Sequence, residues 1–333
     1  MPAMLSMYFG TLMPTGRFLL LINKKVEMAN DNLPLSVKNQ IINFKEKGLS
    51  FNDENLAERF LLNNSYYRLK NYTDFFQNSK AFDRYFLNNI FFEDILDIYH
   101  FDSELRSLIF NAIEKIEIAL RNQIVYQYSI TYGSHWYLDS TYFKVANVHQ
   151  LFLDDLFRNV ESSVESFTVP YKQYPYGKQN PPLSSCWMVP ACWVAIETVS
   201  FGQLSKILGN LKADNCKQAV TLHFGVHAPQ ILDNWMHCIS IIRNICAHHG
   251  QLWDRKIREI KLPKNLPNLF IQNKSVENNK IYASICCIQY LLNEIDPENN
   301  FKNRLAELLK SRSIKELDRM GFPATWDSEL FWI

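Results

Sequence analysis

Apolar residues recur at helical spacing along most of the chain. The longest run extends from Phe92 to Tyr132, where Leu105, Leu108, Ile109, Ala112, Ile113, Ile116, Ala119 and Leu120 form one core-facing stripe and Gly133 supplies the stop. Upstream, S-V-K-N-Q-I-I-N-F-K-E-K-G reads as a helix capped by Ser36 and ended by Gly48, and a second begins near Asn52. Further helices are expected over Val148 to Phe167, Ala191 to Leu208 and Lys280 to Ile295, with a charged one beyond Asn299. Residues 134 to 182 are otherwise irregular and aromatic-rich. They close on Y-K-Q-Y-P-Y-G-K-Q-N-P-P, whose Pro, Gly and polar content marks a loop.

The chemically richest stretch is W-M-H-C-I-S-I-I-R-N-I-C-A-H-H-G-Q-L-W-D-R, Trp235 to Arg255. At about 100° per residue it is an amphipathic helix ended by Gly250. Trp235, Cys238, Ile239, Ile242, Ile245 and Cys246 make its core face. His237, Ser240, Asn244 and His248 make the opposite stripe, with Arg243 at the flank, while His249 turns towards the core side.

Composition supports the helical reading. Ten Gly and 13 Pro in 333 residues, beside 23 Phe and 16 Tyr, suit helices better than a barrel or sandwich with many tight turns, so an all-α fold is expected. A net charge of +1 gives no global field for nucleic acid, and any RNA contact must come from local patches. Seven irregularly spaced Cys and no secretory signal read as buried, reduced thiols of a cytoplasmic protein. The apolar run Phe18 to Ile22 is far shorter than the roughly 20 residues a membrane helix needs, so no membrane association is expected. Residues 1–27 read as a loosely ordered extension, followed by an N-terminal helical segment (28–90), a helical core (91–265) and a C-terminal helical segment packed on it (266–333).

Arg243 and His248, with four residues between them, resemble the R-x(4–6)-H motif of HEPN ribonucleases. The longer string R-N-I-C-A-H-H-G-Q-L-W-D-R is more specific. It resembles the signature of the Abi-like family of bacterial abortive-infection proteins, of the AbiD/AbiF type, where R-N-x-C-A-H-H-x-R-L-W-N-R is usual. The chain departs from that pattern at Gln251 and Asp254. The resemblance extends to S-Y-Y-R-L-x-x-Y at Ser65 to Tyr72, to F-D-x-x-L-R and I-E-x-I-E-x-A-L-R in the long helix, to S-F-G ending at Gly202, and to M-G-F-P-x-x-W at Met320 to Trp326. It implies a HEPN-type helical bundle with additional N- and C-terminal helices. It also implies phage defence by metal-independent RNA cleavage, a homodimer with a composite site, and a small cognate non-coding RNA as partner.

Other charged and aromatic residues carry two readings each. Tyr66 and Tyr67 could stack bases, but core docking with paired hydroxyls is favoured; Arg68 stays open as an RNA contact. Arg106, Glu114, Glu117 and Arg121 are expected to pair with one another. Glu197 is expected in a buried ion pair with the long helix, the alternative being that it orients Arg243 or a histidine. Arg255, Lys256, Arg258, Lys261 and Lys264, interrupted by Glu259, are either a solvated face or a phosphate track. No metal or other cofactor is expected: His223 and His227 lack the Glu of H-E-x-x-H, and the Cys spacings do not fit structural zinc.

In RNA the 2′-OH lies beside the scissile phosphate, so proximity is supplied by the substrate. What remains is a base for the 2′ proton, an acid for the departing 5′ oxygen and charge stabilisation at phosphorus. His248 can serve as base or acid and Arg243 can fork onto phosphate oxygens, with Asn244, His237 and His249 in support. Arg121-Asn122 repeats the Arg-Asn pair without a following His, so one chain carries one motif, and a partner copy would supply the second. Two alternatives stay open: an RNA-binding module without catalysis, and a toxin-like interaction protein held silent by an antitoxin RNA or protein.

Overall fold

In a computed structural model the described residues are 35–78, 84–172, 189–263, 270–271 and 275–333. The extension 1–27, Pro181, Pro182, Cys186 and Lys264 lie outside them. The helices in chain order are α1 (Val37–Glu46), α2 (Glu54–Asn63), α3 (Tyr66–Thr73), α4 (Phe92–Tyr132), α5 (Ala146–Ser162) and α6 (Cys192–Ala195). They continue with α7 (Phe201–Asn210), α8 (Asn215–His223), α9 (Pro229–Ala247), α10 (Ile281–Ile295), α11 (Phe301–Leu309) and α12 (Ile314–Arg319). Among the described residues the β-structure is limited to three isolated bridges, so the fold is all-α.

The spine is α4, 41 residues without Gly or Pro and about 60 Å long. Glu93 and Asp94 sit in its first turn, where the helix dipole favours acid, and the Asp94 carboxylate accepts from the Phe91 N–H at 2.8 Å. Gly133 ends it at φ +87°, a backbone conformation that suits glycine. The apolar stripe is buried as expected apart from half-buried Ala119. Helices α3, α8, α9, α10 and α11 pack along it, and α9 is sandwiched between α4 and α7. Among the described residues no helix is long and apolar enough to cross a membrane.

Several boundaries differ from the expected ones. The single helix expected over 191–208 is broken: α6 runs into a 3-10 turn at Ile196–Thr198, and α7 starts afresh. The break is set by Ser200, whose hydroxyl accepts from the Gln203 N–H while the Gln203 side chain accepts from the Ser200 N–H, a capping box. Helix α8 ends at His223 and the chain turns at Gly225 (φ +66°), so His223 and His227 do not share a helix face. Six cysteines (192, 216, 238, 246, 286 and 287) are buried and free.

Candidate functional site around the end of α9

Helix α9 begins with Pro229 at its first turn and buries Leu232, Trp235, Met236, Cys238, Ile239, Ile242 and Cys246. The helix stops at Ala247, two residues earlier than the periodicity suggests. His248 is the cap, and His249 takes the left-handed conformation at φ +54°. The His249 N–H donates to the Cys246 carbonyl (3.0 Å) and the Gly250 N–H to that of Ile245 (2.8 Å), the paired bonds of a Schellman ending. A wheel that runs on to His249 therefore misplaces its side chain. It is exposed rather than turned to the core.

The polar stripe also divides. Asn244 and His248 are exposed, one turn apart, but Ser240 is buried, donating to the His237 carbonyl and lying 3.3 Å from the Ser205 hydroxyl of α7. His237 is half-buried and about 16 Å along the axis from His248, too far to share one phosphate with it. Burial, with the Arg258 and Lys206 charges beside it, pushes its imidazole below the usual histidine range.

Arg243 lies over the Phe110 ring of α4 at 5.5 Å, with Nε 3.7 Å from Glu117, and remains one-third exposed. Glu117 also accepts from Arg121 at 2.9 Å, and Arg121 donates to the carbonyls of Ile196 and Glu197. The expected mutual pairing therefore holds for Glu117 and Arg121. Arg106 pairs instead with Asp102, and Glu114 is exposed. Glu197 does meet the long helix, at 3.5 Å from Arg121, but its side chain is half exposed and the carboxylate beside Arg243 is Glu117.

Beneath the turn that follows α9 lies a buried network that joins two of the quoted motifs, F-D-x-x-L-R through Asp102 and Arg106 and S-Y-Y-R-L-x-x-Y through Tyr72. The Asp102 carboxylate accepts from the backbone N–H groups of Leu252 and Trp253, from the Tyr72 hydroxyl (2.6 Å) and from Arg106. Burial pushes this carboxyl up, while Tyr72, Arg106 and the two N–H groups pull it down. Burial is the larger effect and holds the carboxyl above the usual carboxylate range, although both of its oxygens accept hydrogen bonds. Helix α3 closes over the same turn: Arg68 donates to the His249 carbonyl at 2.6 Å and Gln251 donates to the Asn71 carbonyl. Of the S-Y-Y-R-L-x-x-Y tyrosines, Tyr72 is buried, Tyr66 half-buried and Tyr67 exposed, so core docking fails for Tyr67.

Both departures from the usual signature are accommodated here. Asp254 sits at φ +52°, where Asn and Asp are the favoured non-glycine residues, and pairs with Lys280 and Arg319 at 3.3 Å each. Gln251 uses its amide N–H as a donor, which an Arg could also supply. Beyond Asp254 the chain runs extended beside α9, with Trp235 Nε1 donating to the Lys261 carbonyl at 2.7 Å. This path brings Arg258 to His237, leaves Lys256 exposed, and folds the exposed Arg255 back onto the Gln251 carbonyl.

The arrangement offers a cation, an amide and an imidazole at one helix end. Arg243 lies near the C-terminal end of α9 and His248 is its cap, five residues on. Cys246, next to them, is no nucleophile: burial pushes its thiol up to about 12. Among the described residues no cluster of three or more His, Cys, Asp or Glu is arranged to hold a metal ion.

No curated protein and no solved structure matches the chain. A model of the family described as Abi-like protein matches residues 59–254, more than half of the chain, ending one residue before the Arg255 that closes the signature. This chain belongs to the Abi-like protein family.

Proposed function

We infer that this protein acts in abortive infection, the defence against phage that its family membership suggests, as a metal-independent RNA endonuclease of the HEPN type. The observation that carries the reading is the pairing of a fixed cation with solvent-exposed polar groups at one helix end. Arg243 is held against Phe110 and Glu117, while Asn244 and His248 stand exposed beside it.

In the reaction the 2′ oxygen of RNA forms a bond to phosphorus and the bond to the 5′ oxygen breaks, leaving a 2′,3′-cyclic phosphate and a 5′-hydroxyl. One imidazole takes the 2′ proton and another delivers a proton to the 5′ oxygen. The Arg243 guanidinium stabilises the charge on the non-bridging oxygens. A single chain supplies one His248 and one Arg243, so two copies would meet at this face to complete one site. The support is chemical: two proton transfers need two titrating groups, and the face bearing Asn244 and His248 is open to solvent.

The test is RNA degradation in EDTA. Wild type should cleave, and His248→Ala should lose activity by at least about 100-fold with its fold unchanged. Arg243→Lys should rescue poorly compared with Arg243→Ala, because an ammonium cannot form the fork. A protein that binds RNA but leaves it intact under every condition is a binding module, and the catalytic reading falls.

A further inference from the structure

Three cavities open side by side along α4, and they share walls. The first, about 350 Å3, lies between the end of α9 (Cys246, Ala247, His249) and Arg106, Phe110 and Asn111 of α4. The second, about 280 Å3, shares Ser103 and Ser107 with it and reaches Arg304 on α11. The third, narrower at about 50 Å3, shares Asn111 with the first and Arg304 with the second, and adds Lys115. Common walls make one depression, about 18 Å long from Ser103 to Lys115, running from the candidate site to α11.

Its chemistry is graded. At the α9 end the Phe110 ring offers an apolar face, and the same ring carries Arg243 at 5.5 Å. Beside it the exposed Asn111 amide presents both a donor and an acceptor, the pair needed to read the edge of a base. At the far end Arg304 is exposed and has no acid within ion-pairing distance among the described residues, whereas Lys115 is engaged by Asp296 at 2.5 Å. Glu104, also exposed, is the acid on the described walls. Each of the larger cavities has room for one unstacked base. A duplex keeps its bases stacked and could not enter, so the occupant is single-stranded.

We propose that this depression carries single-stranded RNA past the candidate site, with an unstacked base between Phe110 and Asn111 and a backbone phosphate on Arg304. The assignment rests on the RNA-cleaving reading given above. It brings α11, which lies beyond the residues matched by the family, into substrate binding.

The experiment measures binding of short fluorescent single-stranded RNAs to the full chain carrying His248→Ala, across a salt series. Arg304→Ala should weaken binding by about 5- to 10-fold and reduce the salt dependence by about one ion. Glu104→Gln should tighten it, because a repelling charge is removed. Asn111→Ala should leave the salt dependence unchanged while levelling the affinities for A-, C-, G- and U-only oligomers. All three side chains are exposed, so folding is not at stake. If none of the three changes binding while the wild type cleaves RNA, the RNA runs elsewhere and the cleavage reading stands. If the three shifts occur but the wild type never cleaves, the path stands and the cleavage reading falls. Equal or tighter binding of a duplex overturns the path, and no binding of any RNA overturns both.

Discussion

Arg68 reaches the carbonyl of His249, 181 residues further along the chain, at 2.6 Å. That bond ties α3 to the turn that ends α9, and so fixes the backbone on which His248 stands. Arg68 therefore has a structural part in holding the turn. Arg68→Ala should cost about 1–2 kcal/mol in urea unfolding and lower RNA cleavage through looser placement of His248. Arg68→Lys should restore part of both. Unchanged stability with reduced RNA affinity would instead make it a phosphate contact.

Asp102 holds the next two residues of that turn from below, through Leu252 and Trp253. Replacing it leaves Arg106 buried without its counter-charge. Asp102→Asn should destabilise the protein by about 3–5 kcal/mol despite preserving shape. Thermal or urea unfolding measures this, and a loss below about 1 kcal/mol would mean the pair contributes little.

His249 occupies a left-handed position at φ +54° where glycine is at ease. His249→Gly should therefore raise stability, by roughly 0.5–1 kcal/mol. Cleavage should remain within about tenfold of wild type, against the 100-fold or greater loss expected for His248→Ala. An inactive but more stable His249→Gly protein would move the catalytic role to His249.

Away from the motif, Lys217 is buried against Asp233 at 2.8 Å and donates to the carbonyls of Leu208 and Leu211. Burial pushes its amine down to about 8 from the ordinary 10.5. Between these values the unfolded chain keeps a proton that the folded chain has released. This group therefore adds stability as pH rises through that window and withholds it below about 8. Lys217→Met should remove that slope and cost about 1–3 kcal/mol at neutral pH, since Asp233 then keeps Lys144, at 3.9 Å, but loses its hydrogen-bonded partner. Unfolding free energies of both proteins from pH 7 to 10 measure it.

Much of this was legible in the sequence where the signal is local. The stripe on α4 and its Gly133 stop define that helix from Phe92 to Tyr132, and the Ser36 cap sets the start of α1. Ser200 and Gln203 form a capping box readable as S-x-x-Q, yet the apolar run through Val199 hides the break it makes. Ser240 looked exposed because its face is polar. It is buried because α7 brings another small hydroxyl, Ser205, against it. Asp102, Arg106 and Tyr72 stand in two of the quoted motifs, but their link to the turn after α9 was out of reach, because its donors are the Leu252 and Trp253 backbone N–H groups, which carry no residue signature. Arg68 was visible as a charge, but its partner is a carbonyl in a distant turn.

The most direct test of a single RNA-cleaving site built from two copies of the Arg243–His248 motif is subunit dilution. Wild-type and His248→Ala chains are mixed at varied ratios under conditions that exchange subunits, and RNA cleavage in EDTA is followed. A mixed pair retains one imidazole, loses either the base or the acid, and should be slowed by about 100-fold or more. Cleavage should then fall with the square of the wild-type fraction. A linear fall would mean that each chain holds a complete site, and undiminished cleavage by His248→Ala alone would remove His248 from the chemistry.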